Sequence, residues 1–203
     1  MTLANSLTTD DQGSAAQRDR RKRILDATYQ LAADGGYDAV QMRAVAEQAE
    51  VALGTLYRYF PSKVHLLVSA LARQFDEARD RLNSREIPGD TQAERVLYVL
   101  KRLTRGMQGD PKLTEALTRA FMFADSSVAA EIHHVGMAMT SIVTHAMHGT
   151  TPDEADITEE DVTIARVIGD VWLSALVSWV TGRSSAAETA QHMDTAVSLI
   201  LRG

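Results

Sequence analysis

QMRAVAEQAEVALGTLYRYFPSK, residues 41–63, decides how the rest of the chain is read. Val45, Ala46 and Ala49 recur at helical spacing from about Met42 to Ala49. Leu56 and Phe60, four apart, do the same from Leu53 to Phe60, where Pro61 stops the run. A tight turn from Glu50 to Ala52 joins the two, and short helices so connected form a helix-turn-helix. With Leu56 and Phe60 turned to a core, Gly54, Thr55, Arg58 and Tyr59 fall on the opposite arc, with Tyr57 at its border. Gly54 has no side chain, so a duplex can approach the backbone closely. Thr55 and Tyr59 offer hydroxyls to phosphate oxygens, and Lys63 adds a positive charge at the next helix start. Arg43 is a candidate bidentate reader of guanine, and Tyr57 can lie on a thymine methyl. The candidate DNA contacts are therefore Gln41, Met42, Arg43, Gly54, Thr55, Tyr57, Arg58, Tyr59 and Lys63. Outside such a motif, Arg43 reads as a solvated surface charge and Tyr57 as a half-buried packing residue.

Upstream, residues 1–13 are polar and without periodicity, the pattern of a disordered tail. Ser14-Ala-Ala-Gln17 has the form of a capping box, and Ile24, Thr28, Leu31 and Ala32 share one face of a helix that Gly35-Gly36 ends. The run Arg18–Arg23 reads either as an arm for the DNA backbone or minor groove or as a solvated helix end. Downstream, a long helix from Lys63 to about Asn83 keeps Leu67, Leu71 and Phe75 in register. Five further helices are predicted. Thr91-Gln-Ala-Glu94, Asp110-Pro111 and Ser185-Ala-Ala-Glu188 mark starts, and residues 149–158 form an acidic loop. No alternating strand pattern or internal repeat is present in the sequence. The predicted fold is all-α, about nine helices, with a three-helix DNA-binding domain over residues 14–63 and a larger helical domain over 64–203.

The formal net charge of -6 argues against a nucleic-acid partner until its distribution is considered. Arg18 to Lys63 holds eight basic and six acidic residues, whereas the remainder to Gly203 holds thirteen and nineteen. A mildly basic end on an acidic body permits DNA binding by one face. The absence of Cys excludes disulfides and thiolate metal sites and suits a reducing cytoplasm. With no secretory signal and no run of about 20 apolar residues, a soluble, cytoplasmic protein without a membrane partner is expected.

The run Gly54–Lys63, GTLYRYFPSK, with Arg43, Val45, Ala46 and Ala49 before it, resembles the DNA-binding domain of TetR-family regulators over about Arg18 to Leu71. The resemblance implies a homodimeric transcriptional repressor on double-stranded DNA, with no catalytic residues, no metal and no cofactor beyond a small-molecule inducer. Two departures stand in the turn. Glu50 replaces a common Gly, at a cost of roughly 1 kcal/mol if the backbone is left-handed. Ala52 replaces a common Ser cap, whose loss typically costs ~1 kcal/mol.

One recognition helix reads few base pairs, so two should sit about 34–36 Å apart on an inverted repeat. The eighth helix, near 159–181, is apolar on most sides and so needs burial twice. The family architecture implies a dimer interface from the last two helices, through Ile164, Ile168, Val171, Ala175, Trp179, Met193, Val197 and Ile200. It also implies a pocket among the fifth to eighth helices, for which Leu103, Met107, Leu117, Phe121, Phe123, Met139, Val143, Trp172 and Leu176 are candidates; Met122 and Met137 add to the same flexible, aromatic set. For any single one of these residues, plain core packing is the favoured reading. The segments QMRAVA, VALGTLYRYFPSKVHLLVSAL and IARVI-DVW are similar to actinobacterial members of the family that repress sterol catabolism, which implies a steroid acid or its coenzyme A thioester as inducer. Other hydrophobic effectors, such as a fatty acyl thioester or a drug, remain open. Two readings from other classes also remain: a metal-dependent enzyme using His145 and His148 with His133 or His134, and a helical adaptor without salt-sensitive DNA affinity. No G-x-S-x-G, G-x-x-x-x-G-K or H-E-x-x-H pattern occurs.

Overall fold

A computed structural model describes residues 7–83, 86–149 and 157–202, with side chains from residue 15 onward. Among them are nine α-helices and no strand. The DNA-binding end comprises α1 (Leu7–Ala39), α2 (Met42–Gln48) and α3 (Leu53–Tyr59). α4 (Lys63–Asn83) leads into α5 (Gln92–Gln108), α6 (Pro111–Met122), α7 (Ala129–His148), α8 (Glu159–Val180) and α9 (Ala186–Ile200). Most of the expected 149–158 loop lies outside the described residues.

The tail expected over 1–13 needs correction where it is described: α1 already runs through residues 7–13. A helix nucleated by the buried turn around Ile24 and Leu25 propagates back through a segment free of proline, one hydrogen bond per residue fixed. Ser14 is accordingly inside the helix rather than at its cap. At the other end α1 breaks where expected, at Gly36, whose φ of 70° suits glycine.

Elsewhere the starts follow the capping chemistry. Thr91 and Ser185 form full capping boxes with Glu94 and Glu188, and the Asp110 side chain accepts from the Leu113 amide ahead of Pro111. A further box, Thr158 with Asp161, opens α8. α7 ends at Gly149 in the left-handed conformation. Arg95 secures the same end, donating from Nε and Nη2 to the Ala146 and Met147 carbonyls at 3.0 and 2.6 Å.

In the larger domain α4 packs on α6 and α7, while α8 packs on α7 and α9 and α5 on α7 and α9. Leu66, Leu67, Val96, Leu117, Ala146 and Ile168 are fully enclosed at the centre. Two polar pairs tie α1 to α4. Arg73 donates to Asp26 at 2.6 Å, and the Tyr29 hydroxyl donates to the Ala70 carbonyl. Burial pushes the Asp26 carboxyl upward, but the hydrogen bonds from Arg73 and Lys22 prevail and leave it below its ordinary value. Burial pushes the Tyr29 phenol up to about 12. By length and composition α8 is apolar enough to cross a membrane, a feature the sequence reading passed over. Its buried arc packs in the bundle, and Val167 and Asp170 are exposed on its outer side.

Candidate nucleic-acid interface and ligand cavity

The two apolar residues that define α3, Leu56 and Phe60, are buried, at 0% and 2% exposure. Anchoring them fixes the outer arc of α3: Gly54, Tyr57 and Arg58 are exposed, and Thr55 and Tyr59 are half-buried beside them. Around Gly54 a Cβ would meet nothing within 4 Å, so open space lies over that backbone. Gln41 and Arg43 are exposed at the head of α2, with Met42 half-buried against the core. The Arg58 guanidinium lies 5.9 Å from the centre of the Tyr59 ring.

The turn between α2 and α3 accommodates both departures noted above. Glu50 adopts φ 53°, the left-handed conformation expected there. Its amide donates to the Glu47 carbonyl at 3.1 Å, and that of Val51 to the Ala46 carbonyl at 3.0 Å, the paired bonds of a Schellman ending built without glycine. The Arg23 Nη1 donates to the Ala49 carbonyl at 2.7 Å, satisfying one more acceptor at the helix end. Ala52 caps α3 with no side-chain hydrogen bond.

The Arg18–Arg23 run is no extended arm. It lies within α1, where Arg23 also pairs with Asp19 at 3.2 Å, Lys22 with Asp26 at 3.2 Å, and the Arg21 guanidinium is 5.5 Å from the Phe60 ring centre. Lys63 is half-buried rather than extended into solvent. Its Nζ lies 3.8 Å from the centre of the Tyr37 ring, and the Arg119 guanidinium lies 4.3 Å from the same ring. Burial lowers the Lys63 ammonium below its ordinary value, with Asp38 opposing and Arg119 reinforcing that shift. The ring of Tyr37 thus joins the end of α1, the start of α4 and the side of α6. Lys112 adds a second tie between α6 and α1, donating to the Asp34 carbonyl at 2.8 Å.

Two cavities among the described residues of the larger domain adjoin Phe75 and Trp172. One, of about 580 Å³ among α4, α5, α7 and α8, is lined by Phe75, Leu82, Tyr98, Leu103 and Met107, with Arg81 and Arg102 also on its walls. The other, of about 240 Å³ among α4, α6, α7 and α8, is lined by Leu71, Thr118, Phe121, Met139, Gly169 and Leu176. Phe75, Met107 and Trp172 belong to both. The Phe75 and Trp172 rings meet edge to face at 6.0 Å, and Trp172 Nε1 donates to Thr104 Oγ1 at 2.9 Å.

Of the pocket candidates, Leu103, Met107, Phe121, Met139, Trp172 and Leu176 line these cavities. Three need correction. Phe123 is 80% exposed just beyond the end of α6, and Leu117 and Val143 are enclosed in the core and line neither cavity. Phe75 and Thr118 were missed, because α4 periodicity places Phe75 with the core and a threonine carries no apolar signal. Four of the dimer candidates also need correction: Ile168, Ala175, Met193 and Val197 are buried inside the protomer, leaving no surface for a partner. Ile164, Val171, Trp179 and Ile200 are half-buried, and the large apolar side chains exposed on α8 and α9 are Val167 and Leu199. The sequence could not separate the buried arc of α8 from the exposed one, since both are apolar.

The histidines do not converge. His145 Nδ1 is 2.9 Å from Asn83 Oδ1, His134 Nε2 is 2.8 Å from Asp76, and His148 Nε2 is 3.4 Å from Asp161. Among the described residues no three His, Cys, Asp or Glu side chains are placed to share a metal.

A two-helix reading head on a larger helical body is the architecture of a helix-turn-helix DNA-binding protein. Residues 24–70 match the bacterial regulatory proteins of the tetR family, and residues 89–200 match the tetracyclin repressor-like C-terminal domain. The chain belongs to the TetR family. It is 57% identical over 198 residues to the HTH-type transcriptional repressor KstR of Rhodococcus jostii, spanning 98% of this chain and 90% of that one. Identity to KstR of Mycobacterium tuberculosis is 50% over 195 residues, 96% and 86% of the two chains. Among solved structures, a TetR transcriptional regulator from Rhodococcus sp. RHA1 superposes with a TM-score of 0.83 at 32% identity, over 93% of this chain and 98% of that one. The protein is a TetR-family transcriptional repressor similar to these KstR proteins.

Proposed function

We propose that two copies of the chain bind an inverted-repeat operator through α3 of each protomer, and that a steroid acid or its coenzyme A thioester releases them. The observation that carries this reading is the course of α4. Its first residue, Lys63, adjoins the reading head, and three turns later Phe75 stands in the wall common to both cavities. A ligand that moves Phe75 therefore acts on the element that orients α3. Release requires tighter binding to the spread conformation than to the DNA-competent one.

On the DNA side, Arg43 and Tyr57 read bases, with Gln41 and Met42 beside them, and Thr55, Arg58, Tyr59 and Lys63 hold phosphates while Gly54 admits the backbone. Lys63 must leave Tyr37 to do so. The partner protomer packs on the outer arc of α8 and on α9, around Ile164, Val167, Val171 and Leu199, with Trp179 and Ile200 at its edge. The ligand lies with its apolar body in the smaller cavity and its acidic or thioester end toward Arg81 and Arg102 in the larger. The smaller cavity alone falls below the ~300 Å³ at which ligand pockets usually begin, so the shared wall must yield. This assigns the protein a cytoplasmic regulatory role and no catalysis.

The test is an operator selected from random DNA. Purified protein retards it as a dimer, with affinity falling steeply as salt rises. A steroid acyl thioester releases the complex at concentrations where a plain fatty acyl thioester does not. Absence of retardation at low salt refutes the DNA reading, and equal release by both thioesters refutes the steroid.

A further inference from the structure

The geometry points to Thr118 as the residue that selects ligands carrying a carbonyl or hydroxyl oxygen at the inner end of an apolar body. Several threonines in the helices of this protein spend their hydroxyl on the carbonyl one turn back. Thr28 bonds Ile24, Thr144 bonds Thr140, Thr163 bonds Glu159 and Thr195 bonds Gln191, at 2.8 to 3.0 Å. On α6 itself, Thr114 Oγ1 donates to the Met107 carbonyl at 2.6 Å. Thr118, the next turn along, departs from this pattern: it is 6% exposed, and its hydroxyl has no hydrogen-bond partner among the described residues. A buried hydroxyl left without a partner costs stability that a valine of the same shape would not.

The surroundings say what that hydroxyl is kept for. Thr118 lines the smaller cavity with Leu71, Phe75, Phe121, Met139 and Trp172, side chains that offer it nothing polar except the indole, which is committed to Thr104. The remaining polar side chains of the lining are His133, Thr140, Arg166 and Asp170 on α7 and α8, each half-buried or exposed. Thr118 is therefore the enclosed polar group of an otherwise apolar recess. A hydroxyl both donates and accepts, so it matches a ring ketone or a ring alcohol. The methyl end of an unsubstituted acyl chain leaves it unsatisfied. A site built to hydrogen-bond an oxygen rejects analogues that lack it more strongly than an apolar pocket can. This rests on the steroid reading above and gives it a physical reason.

The probes are two coenzyme A thioesters of one steroid carboxylic acid, with and without a ring ketone, titrated into the full-length protein. Wild type binds the ketone about tenfold more tightly, the worth of a net hydrogen bond. In Thr118→Val the two bind alike, chiefly through weaker binding of the ketone, and Thr118→Ser restores the preference. Without ligand, Thr118→Val melts at or above the wild-type temperature, because no native hydrogen bond is lost. An unchanged preference in Thr118→Val overturns the inference, as does a melting temperature lowered in the unliganded variant, which reveals a structural partner. If wild type binds neither thioester, the steroid reading itself has failed and takes the inference with it, an outcome read from wild type alone.

Discussion

Replacing Arg23 by Met separates a structural base from a DNA contact in a run of five. The thioether side chain keeps much of the aliphatic stem and removes two interactions. The pair with Asp19 joins side chains that are 41% and 67% exposed and contributes at most a few tenths of a kcal/mol. The bond to the Ala49 carbonyl, at 2.7 Å, is charge-assisted and part-buried. Such bonds are worth about 1.5–3 kcal/mol when enclosed, and the exposure of the Arg23 side chain brings the expectation down to about 1 kcal/mol. Arg23→Met should therefore lose about 1–1.5 kcal/mol in urea denaturation. Affinity for the selected operator should fall by less than tenfold, and the slope of log affinity on log salt should stay as in wild type. Unchanged stability together with a slope flattened by about one would show that Arg23 holds a phosphate and that its bond to the turn is incidental.

Glu50→Gly should raise stability by about 0.5–1 kcal/mol by relieving the left-handed backbone, less the entropy that glycine loses. Ala52→Ser should add ~1 kcal/mol through the missing cap of α3; thermal melts of the single and double variants check both, and a destabilised Glu50→Gly would refute the strain. Arg43→Ala should relax preference at one operator position by about 1–3 kcal/mol, read by competition among single-base operator variants, whereas an unaltered base profile removes it as a reader. Val167→Asp, on the exposed arc of α8, should shift sedimentation toward the monomer and abolish operator binding; a dimer of wild-type stability would move the interface elsewhere. Burial holds the His145 imidazole below its ordinary value of about 6.5, so the unfolded chain takes up this proton first. Its contribution is then intact above that pH and lost as pH falls through the depressed folded value. His145→Gln should flatten the stability profile across this acidic interval, and a profile unchanged from wild type would refute the assignment.

The legibility of this chain in its sequence followed the kind of signal each part carries. Helix starts were readable because caps are local: Thr91, Asp110 and Ser185 act on amides three residues away. The reading head was readable because Leu56 and Phe60 fix which arc of α3 turns outward. Which apolar residues of α8 stay exposed was not, since Val167 and Ile168 are adjacent and equally apolar, one 43% exposed and one buried, and only packing distinguishes them. The cavities were legible only in part for a related reason. Leu117 and Phe121 share a helix face, but a void lies beside one and not the other, which depends on the facing helices. Thr118 is invisible to periodicity altogether, because its distinction is a bond it does not make.

The aromatic ring of Tyr37 gives the two halves of the molecule a common hub. A phosphate that draws Lys63 toward the duplex strips one cation from that ring and leaves Arg119 to hold it alone. If Lys63 holds a phosphate as proposed, occupancy of the operator is registered on α6, beside Thr118, in addition to any movement of α4. By linkage the traffic runs both ways: whatever shifts α6 alters how readily Lys63 is surrendered to DNA.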